Sequence, residues 1–336
     1  MPGQKSFIES KGQRAVPGTK GAQREAVFGK VQVISGESGC RFPFCTSLLI
    51  DDELKALIDP GAGYQRLNEL KHEVPIDIVI NTHYHYDHIA YNHLFESSRI
   101  VINEKEAQCF RNRSSIGSLI GMEEVYGRAW VEGWLERIAD PGAEQSPFSP
   151  QNNHNWWLST SRVDGEYKWG DVMDFGKTVM HVIGAPGHSA GFSCMYFPGQ
   201  GIVYVADLDL TDFGPWYGGS DGDIDLFISS CETIAGVDAE LFITGHEKGI
   251  LSRKDFRAGL KVFLDVIGRR DEKILSLLSS PLSLEDLVGL GPIYGKRYHE
   301  DAWVYMWEFI MVKKHVRRMV VRGEVIEENG RFVAAR

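Results

Sequence analysis

Short apolar runs broken by turn residues fill the first 250 positions, and longer runs at helical spacing fill the rest. From Val27, "VFGKVQVIS" alternates apolar and polar side chains, as a half-buried strand does. "FCTSLLID" and "LKALID" follow with a two-acid turn between them, and the second closes on Asp59-Pro60-Gly61, a turn signal. "IDIVI" at 76–80 is a short β-branched run suited to a strand buried on both faces. "SRIVIN" (98–103) reads as the next strand and "EKEAQCFRNR" as a helix. Strands resume with "TVMHVIGA", "FSCMYF", "GIVYVADL" and "AELFITG" (239–245).

The middle and the end read differently. "MEEVYGRAWVEGWLERIAD" (122–140) has apolar residues at helical spacing. The Pro-, Ser- and Asn-rich stretch after it predicts a long loop, in which Trp156 and Trp157 either staple the loop down or wall a pocket. Beyond His246, "SRKDFRAGLKVFLDVIGRRDEKILSLL" is an amphipathic helix with Ser252 and Asp255 at capping-box spacing. "SLEDL" (283–287) starts a second helix, "EDAWVYMWEFIMVKKHVRRMVVRG" is a third, and "EVIEENGRFVAA" is a strand pair around Asn329-Gly330. Helix, helix, helix, hairpin is the order of a winged helix. The domain reading is a flexible arm over 1–25, a strand-rich body over 26–250 and a helical, winged-helix-like unit over 251–336.

Composition narrows the class. With 336 residues and 43% hydrophobic content, the chain can bury one large core or a core plus a small second domain. A net charge of -10 argues against a general polyanion-binding surface. No run reaches the eighteen or so apolar residues of a membrane span, and the polar, Gly-rich start carries no secretory h-region. Five cysteines at scattered spacings, with no C-x-x-C pair, fit a reducing cytoplasm and read as small buried hydrophobes. Composition leaves a homo-oligomer open.

The chemistry concentrates in "INTHYHYDHIA" (80–90), where His83, His85, Asp87 and His88 crowd one turn after an apolar run. Imidazole and carboxylate are good ligands for zinc, iron and manganese. His83 and His85 alternate and project to one side, while Asp87 and His88 come where the chain bends, so one turn can serve two ions. Three more ligand-type residues stand at strand ends: His188 in "GAPGHSAGF", Asp207 in "VYVADLD" and His246 in "FITGHEKG". Asp207 is the natural carboxylate bridge. His72, His93, His154, His181, His299 and His315 have no motif partner and read as ordinary surface or core residues.

"THYHYDH", "PGHSAG", "ADLD", "TGHEKG" and the early "LLIDDELKALIDPG" occur in the order found in the metallo-β-lactamase superfamily, which the chain resembles from about Val27 to Gly249. The resemblance implies an α/β fold, a four-layer αββα sandwich with the metals at one edge and a small helical C-terminal domain. It implies that His83, His85 and His188 hold a first ion, that Asp87, His88 and His246 hold a second, and that Asp207 bridges. The cofactor is then a dinuclear centre of two divalent ions, zinc first, with iron and manganese as the other candidates. "DHIAYN" puts Ala90 and Tyr91 where the family often has glycines, which predicts a crowded pocket near the second ion. The long segment between His88 and His188 predicts an extra lid.

A hydroxide bridging two ions about 3.5–4 Å apart forms near neutral pH and attacks a carbonyl carbon or phosphorus. Asp87 is the expected catalytic residue, orienting the water as well as ligating. In "DLTDFGPWYGGSDGD", Phe213, Trp216 and Tyr217 are candidates to line the substrate groove, Tyr217 with a hydroxyl to donate. Asp221, Asp223 and Asp225 read as solvated turn and helix-start residues. The leading function is a metal-dependent hydrolase of a small ester, thioester or lactone, so a small-molecule substrate is the expected partner. One alternative is a nuclease or phosphodiesterase whose C-terminal unit binds nucleic acid through "KKHVRRMVVR", a run otherwise read as the polar face of a core helix. The other is a mononuclear iron dioxygenase acting on a thiol.

Overall fold

The computed structural model describes residues 25–137, 162–296 and 300–335. Trp156, Trp157, His154, His299, nearly all of the expected N-terminal arm and most of the expected long loop lie outside them. Seven strands form a first sheet in sequence order: β1 (Ala26–Phe28), β2 (Val31–Ile34), β3 (Ser47–Ile50), β4 (Ala56–Ile58), β5 (Ile78–Ile80), β6 (Arg99–Asn103) and β7 (Gly165–Tyr167). The predicted single strand "VFGKVQVIS" is a hairpin. It folds over at Gly29, whose φ of 61° needs a residue without Cβ strain, and β1 pairs antiparallel with β2.

The second sheet has six strands: β8 (Val172–Asp174), β9 (Val179–Gly184), β10 (Ser193–Phe197), β11 (Ile202–Ala206), β12 (Leu241–Thr244) and β13 (Ile250–Ser252). The two sheets face each other across the main core. Leu48, Ile50, Ile58 and Ile80 of the first sheet and Val182, Met195 and Val203 of the second share it. The period of two does the sorting: Leu49, Leu57 and Val79, one position away, turn to the opposite face of the first sheet. There they meet Leu67 and Leu70 of α1 (Tyr64–Glu73).

A short helix α2 (Tyr86–Ile89) follows β5. A run of small helices leaves β6: α3 (Ala107–Arg111), α4 (Arg113–Ile120), α5 (Met122–Tyr126) and α6 (Arg128–Arg137). Two sequence-predicted helices are broken here. Asn112 is extended and caps α4 by accepting from Ser114 N, and Gly127 at φ 81° separates α5 from α6. The outer face of the second sheet is covered by α7 (Ile224–Ala235) and α8 (Arg253–Leu277), which bury Phe227, Cys231, Phe256 and Phe263. The fold is therefore two mixed sheets with helices outside, α/β/β/α.

Helix α8 starts where its cap predicted, with Ser252 Oγ accepting from Asp255 N at 3.1 Å. After it come α9 (Leu284–Val288), capped by a Ser283/Asp286 capping box, and α10 (Ala302–Val321). A hairpin of β14 (Val325–Glu328) and β15 (Arg331–Ala334) turns at Asn329 and Gly330, both with positive φ. Trp303, Trp307 and Ile310 of α10 share a core with Tyr84, Tyr86 and Phe110. The last long helix is thus packed against the element that carries the histidine motif. Among the described residues no helix is long and apolar enough to cross a membrane, and all five cysteines are free and buried.

Candidate metal centre

Every ligand-type residue singled out in the sequence sits just past the C-terminal end of a strand. His83 and His85 follow β5, with Asp87 and His88 on α2 immediately after. His188 lies in the turn between β9 and β10, Asp207 directly follows β11, and His246 follows β12. Parallel pairing of β4 with β5 and of β11 with β12 brings these ends to one edge of the sandwich.

The seven side chains meet there as two clusters, His83/His85/His188/Asp207 and Asp87/His88/His246, each with ligand atoms within 4.8 Å of one another. Asp207 joins them. Its Oδ2 is 3.2 Å from His188 Nε2 and 3.9 Å from His83 Nε2, while its Oδ1 is 2.8 Å from His88 Nε2 and 3.5 Å from His246 Nε2. Asp87 Oδ2 lies 3.3 Å from His246 Nε2 and 3.8 Å from His88 Nε2.

Partners behind the rings decide which nitrogen points inward. His88 Nδ1 lies 2.8 Å from Asp59 Oδ2. His83 Nδ1 lies 2.9 Å from Thr82 Oγ1, whose hydroxyl donates to Asp59 at 2.7 Å. His188 Nδ1 donates to Trp216 O at 3.0 Å, and His246 Nδ1 to Cys40 O at 3.0 Å. Each of these four rings therefore presents Nε2 to the centre. His85 presents Nδ1, which is 2.9 Å from His188 Nε2.

The cluster has the character of a cation site. Nε2 of His83 and His88 and Oδ1 of Asp207 are buried without a hydrogen-bond partner. His88 Nε2 and Asp207 Oδ1 are close but out of line for a hydrogen bond. Burial pushes His85 down to about 3 and His83 down as well, so both are neutral ligands. Burial also disfavours charge on His88 and His246, yet the surrounding groups, Asp207 and Asp87 among them, raise both. Burial pushes Asp207 up, but His88, His188 and His246 outweigh it and hold the carboxyl well below its ordinary range. Bound divalent cations would replace those imidazole protons as the counter-charge.

The close fit depends on glycine at one point. A Cβ on Gly61 would stand 1.9 Å from Asp87 O, so the Asp59-Pro60-Gly61 turn can press against α2 only without a side chain there. The turn around His188 is held from outside by acids. Glu106 accepts from Ser189 Oγ and from Gly191 N (2.7 Å), and Asp221 accepts from Ala190 N (3.0 Å) and Tyr84 Oη (3.3 Å).

A cavity of about 350 Å³ opens over the clusters, lined by His85, Asp87, His188, Asp207 and His246 on the ligand side. Its apolar wall is Phe42, Tyr86, Ile120, Phe213, Trp216, Tyr294 and Trp307, and Asp209, Asp212 and Glu247 are further acids on its lining, Asp209 beside Asp207 and His246. Phe213 and Trp216 line it as expected. Tyr217 does not. It is fully buried, and its hydroxyl donates to His315 Nε2 at 2.7 Å and accepts from Arg270 at 2.9 Å, so it anchors the loop to α8 and α10. Ala90 and Tyr91 pack into the outer core against α1 and do not crowd the cavity. Asp223 caps α7 as a helix-start residue, but Asp221 is half-buried and bonded rather than solvated.

Sequence reasoning missed the roles of Asp59, Thr82, Glu106 and Asp221 behind the ligands, and of Tyr294 and Trp307 in the wall. Asp59 and Thr82 stood inside quoted motifs. Nothing local marks the other four, which arrive by tertiary packing.

The metallo-beta-lactamase superfamily model matches residues 40–107 and 158–246, a span that holds all seven ligand-type residues. The alpha subunit of 2,4-dinitroanisole O-demethylase from Nocardioides sp. (strain JS1661) is 26% identical over 210 residues, 61% of this chain. That match spans about half, 51%, of the relative's own length. A metallo-beta-lactamase family protein from Thermus thermophilus superposes with a TM-score of 0.65 at 17% identity, covering 91% of this chain and 99% of that one. A beta-lactamase domain protein from Burkholderia ambifaria gives 0.63 at 17% identity, covering 92% and 93%. Five motifs in order, two facing sheets and their ligand edge agree with these matches: the chain has the metallo-beta-lactamase fold and is similar to that superfamily over residues 40–107 and 158–246.

Proposed function

We propose that the chain is a metal-dependent hydrolase of a small, uncharged ester, thioester or lactone. One observation carries the reading: two ligand clusters joined by the two oxygens of Asp207 form the floor of a single cavity of about 350 Å³. That volume lies at the small end of the roughly 300–1,000 Å³ range of ligand pockets.

In this reading His83, His85 and His188 hold one ion, Asp87, His88 and His246 a second, and Asp207 contacts both. Zinc suits the imidazole-rich donor set, as iron and manganese also do. When bound, such ions supply Lewis acidity and lower the pKa of water to about 7. The chain's own groups do the rest. Asp87, which lines the cavity, accepts a hydrogen bond from the attacking water and aims it. The Asp59–His88 and Asp59–Thr82–His83 contacts fix the ring tautomers. Trp216, its indole centroid 5.1 Å from that of His85 and 5.4 Å from that of His188, excludes bulk water from the ligand side and bounds the substrate.

Specific observations weigh against the other readings. Among the described residues no lysine or arginine lines the cavity, which disfavours a phosphodiester substrate. Three of the five basic residues in the run over 313–322 are engaged with the protein itself, while Arg317 and Arg322 are exposed: Lys313 pairs with Glu124 at 2.6 Å, Lys314 donates to Tyr217 O, and Arg318 pairs with Asp225 and Asp271. That supports the core-helix reading of residues 313–322 over nucleic-acid binding by a winged helix. The second cluster of Asp87, His88 and His246 favours two ions over one iron. An aryl methyl ether is a further substrate reading, favoured only by the name of the Nocardioides relative. The free cysteines support a reducing compartment such as the cytoplasm.

The test is His85→Ala and Asp207→Ala in the zinc-loaded protein. Both are expected to lose metal and the hydrolysis of chromogenic esters while keeping the wild-type circular dichroism spectrum. Full activity in either variant overturns the assignment.

A further inference from the structure

The wall above the ligands is built almost wholly from rings. Six aromatic side chains line the cavity against one aliphatic, Ile120. Four of the rings form a continuous series from the surface to the ligands. Phe213, 38% exposed, stands 5.0 Å from Tyr294; Tyr294 is 6.3 Å from Trp307; Trp307 is 5.9 Å from Trp216; and Trp216 is 5.4 Å from the metal-facing His188. Phe42 and Tyr86 add an edge-on pair 5.2 Å apart.

These rings border open space instead of filling it, and they are held in place. Trp216 Nε1 donates to Tyr294 Oη at 3.0 Å, which satisfies the indole N–H and ties the two rings together. The Arg270 guanidinium lies 4.7 Å from the Phe213 ring centroid and donates to Phe213 O and Pro215 O. Glu308 of α10 accepts from the backbone N–H of Ile293 and Tyr294, fixing the segment that carries Tyr294. An aliphatic wall would take any alkyl group of the right size. Rigid ring faces and edges favour a planar aromatic partner through edge-to-face and offset contacts. The wall offers no cationic side chain among the described residues, and Asp212 at its rim is paired with Lys248.

From this we infer that the substrate carries a small, uncharged aryl group, seated along Phe213, Tyr294, Trp307 and Trp216 with its scissile bond toward the ligands. The inference rests on the hydrolase reading for its chemistry, but not for its geometry. For a phenyl ester the water oxygen bonds to the acyl carbon and the bond from that carbon to the phenolic oxygen breaks. The phenolic oxygen leaves with the electron pair and takes one proton, and the new carboxylic acid releases the other. Trp307 and Tyr294 come from the C-terminal segment, which gives that segment a part in specificity.

The experiment is calorimetric binding of acetophenone and its saturated counterpart, cyclohexyl methyl ketone, to the zinc-loaded full chain. Neither ketone is hydrolysed, so the readout is independent of turnover. Acetophenone is expected to bind roughly threefold to tenfold more tightly, the scale of aromatic pair contacts. Phe213→Ala, a substitution at an exposed loop position, and Trp307→Leu, on α10, are each expected to shrink that ratio. Equal affinities in the wild-type protein, or no binding of either ketone, overturn the inference. Turnover of phenyl acetate is measured alongside: aryl preference without turnover upholds the aryl site and removes the ester-hydrolase reading instead.

Discussion

Asp59 Oδ2 lies 2.8 Å from Nδ1 of His88, and the same carboxylate takes the N–H and hydroxyl of Thr82 and, at 3.2 Å, the hydroxyl of Tyr204. One buried side chain, reaching from the end of β4, thus sets the tautomers of two ligand rings on the turn after β5. The contact crosses from the Asp59-Pro60-Gly61 turn to the histidine motif, and Gly61 is what lets the two approach.

Asp59→Asn retains the shape but supplies a single carbonyl oxygen to four donors. Weakening of metal affinity by about 10- to 100-fold is expected, the usual effect of removing an outer partner of a ligand histidine. Chelator competition on the folded variant measures it. An unchanged affinity would show that Asp59 does not govern the rings.

Tyr217 was expected at the substrate and is found in the frame. Tyr217→Phe leaves His315 Nε2 and one Arg270 N–H unpaired in a buried position. A loss of about 1–3 kcal/mol in unfolding free energy is expected, with KM for the best ester substrate unchanged. A raised KM at full stability would return Tyr217 to the site.

Glu106 makes stability pH-dependent. Burial, aided by Asp221, raises its carboxyl from the ordinary 4.5 to about 8. Between those values the folded chain keeps a proton that the unfolded chain releases. The contribution is therefore fully present below pH 4.5 and is lost as pH rises through about 8. Chemical denaturation from pH 4.5 to 8 should show wild-type stability falling relative to Glu106→Gln, with a difference slope of up to about 1.4 kcal/mol per pH unit. Parallel curves for the two proteins would contradict this.

How much of this was legible in the sequence follows from where each residue gets its position. The seven ligand-type residues stand at the ends of apolar strands, so the sequence pattern that makes the strand also locates the ligand. His83, His85, Asp87 and His88 needed only "IDIVI" before them, and Asp207 only "GIVYVA". The hairpin at Asn329-Gly330 and the Ser252 cap were legible for the same reason, because turn and cap chemistry is local. The breaks at Asn112 and Gly127 were hidden by apolar spacing that runs across them. The ring wall was not legible at all. Trp307 and Tyr294 reach the cavity only because α10 packs against the insertion between β6 and β7, and no spacing along the chain records that contact. Tyr217 misled because its neighbour Trp216 faces the cavity, while its own hydroxyl is taken up by His315 and Arg270 in the interior.

The dinuclear centre is the claim on which the rest depends, and element-specific anomalous diffraction from zinc-loaded crystals tests it most directly. Two peaks are predicted, one among His83, His85 and His188 and the other among Asp87, His88 and His246, with Asp207 touching both. A single peak, or none in the cluster after loading with zinc, manganese and iron in turn, would contradict it.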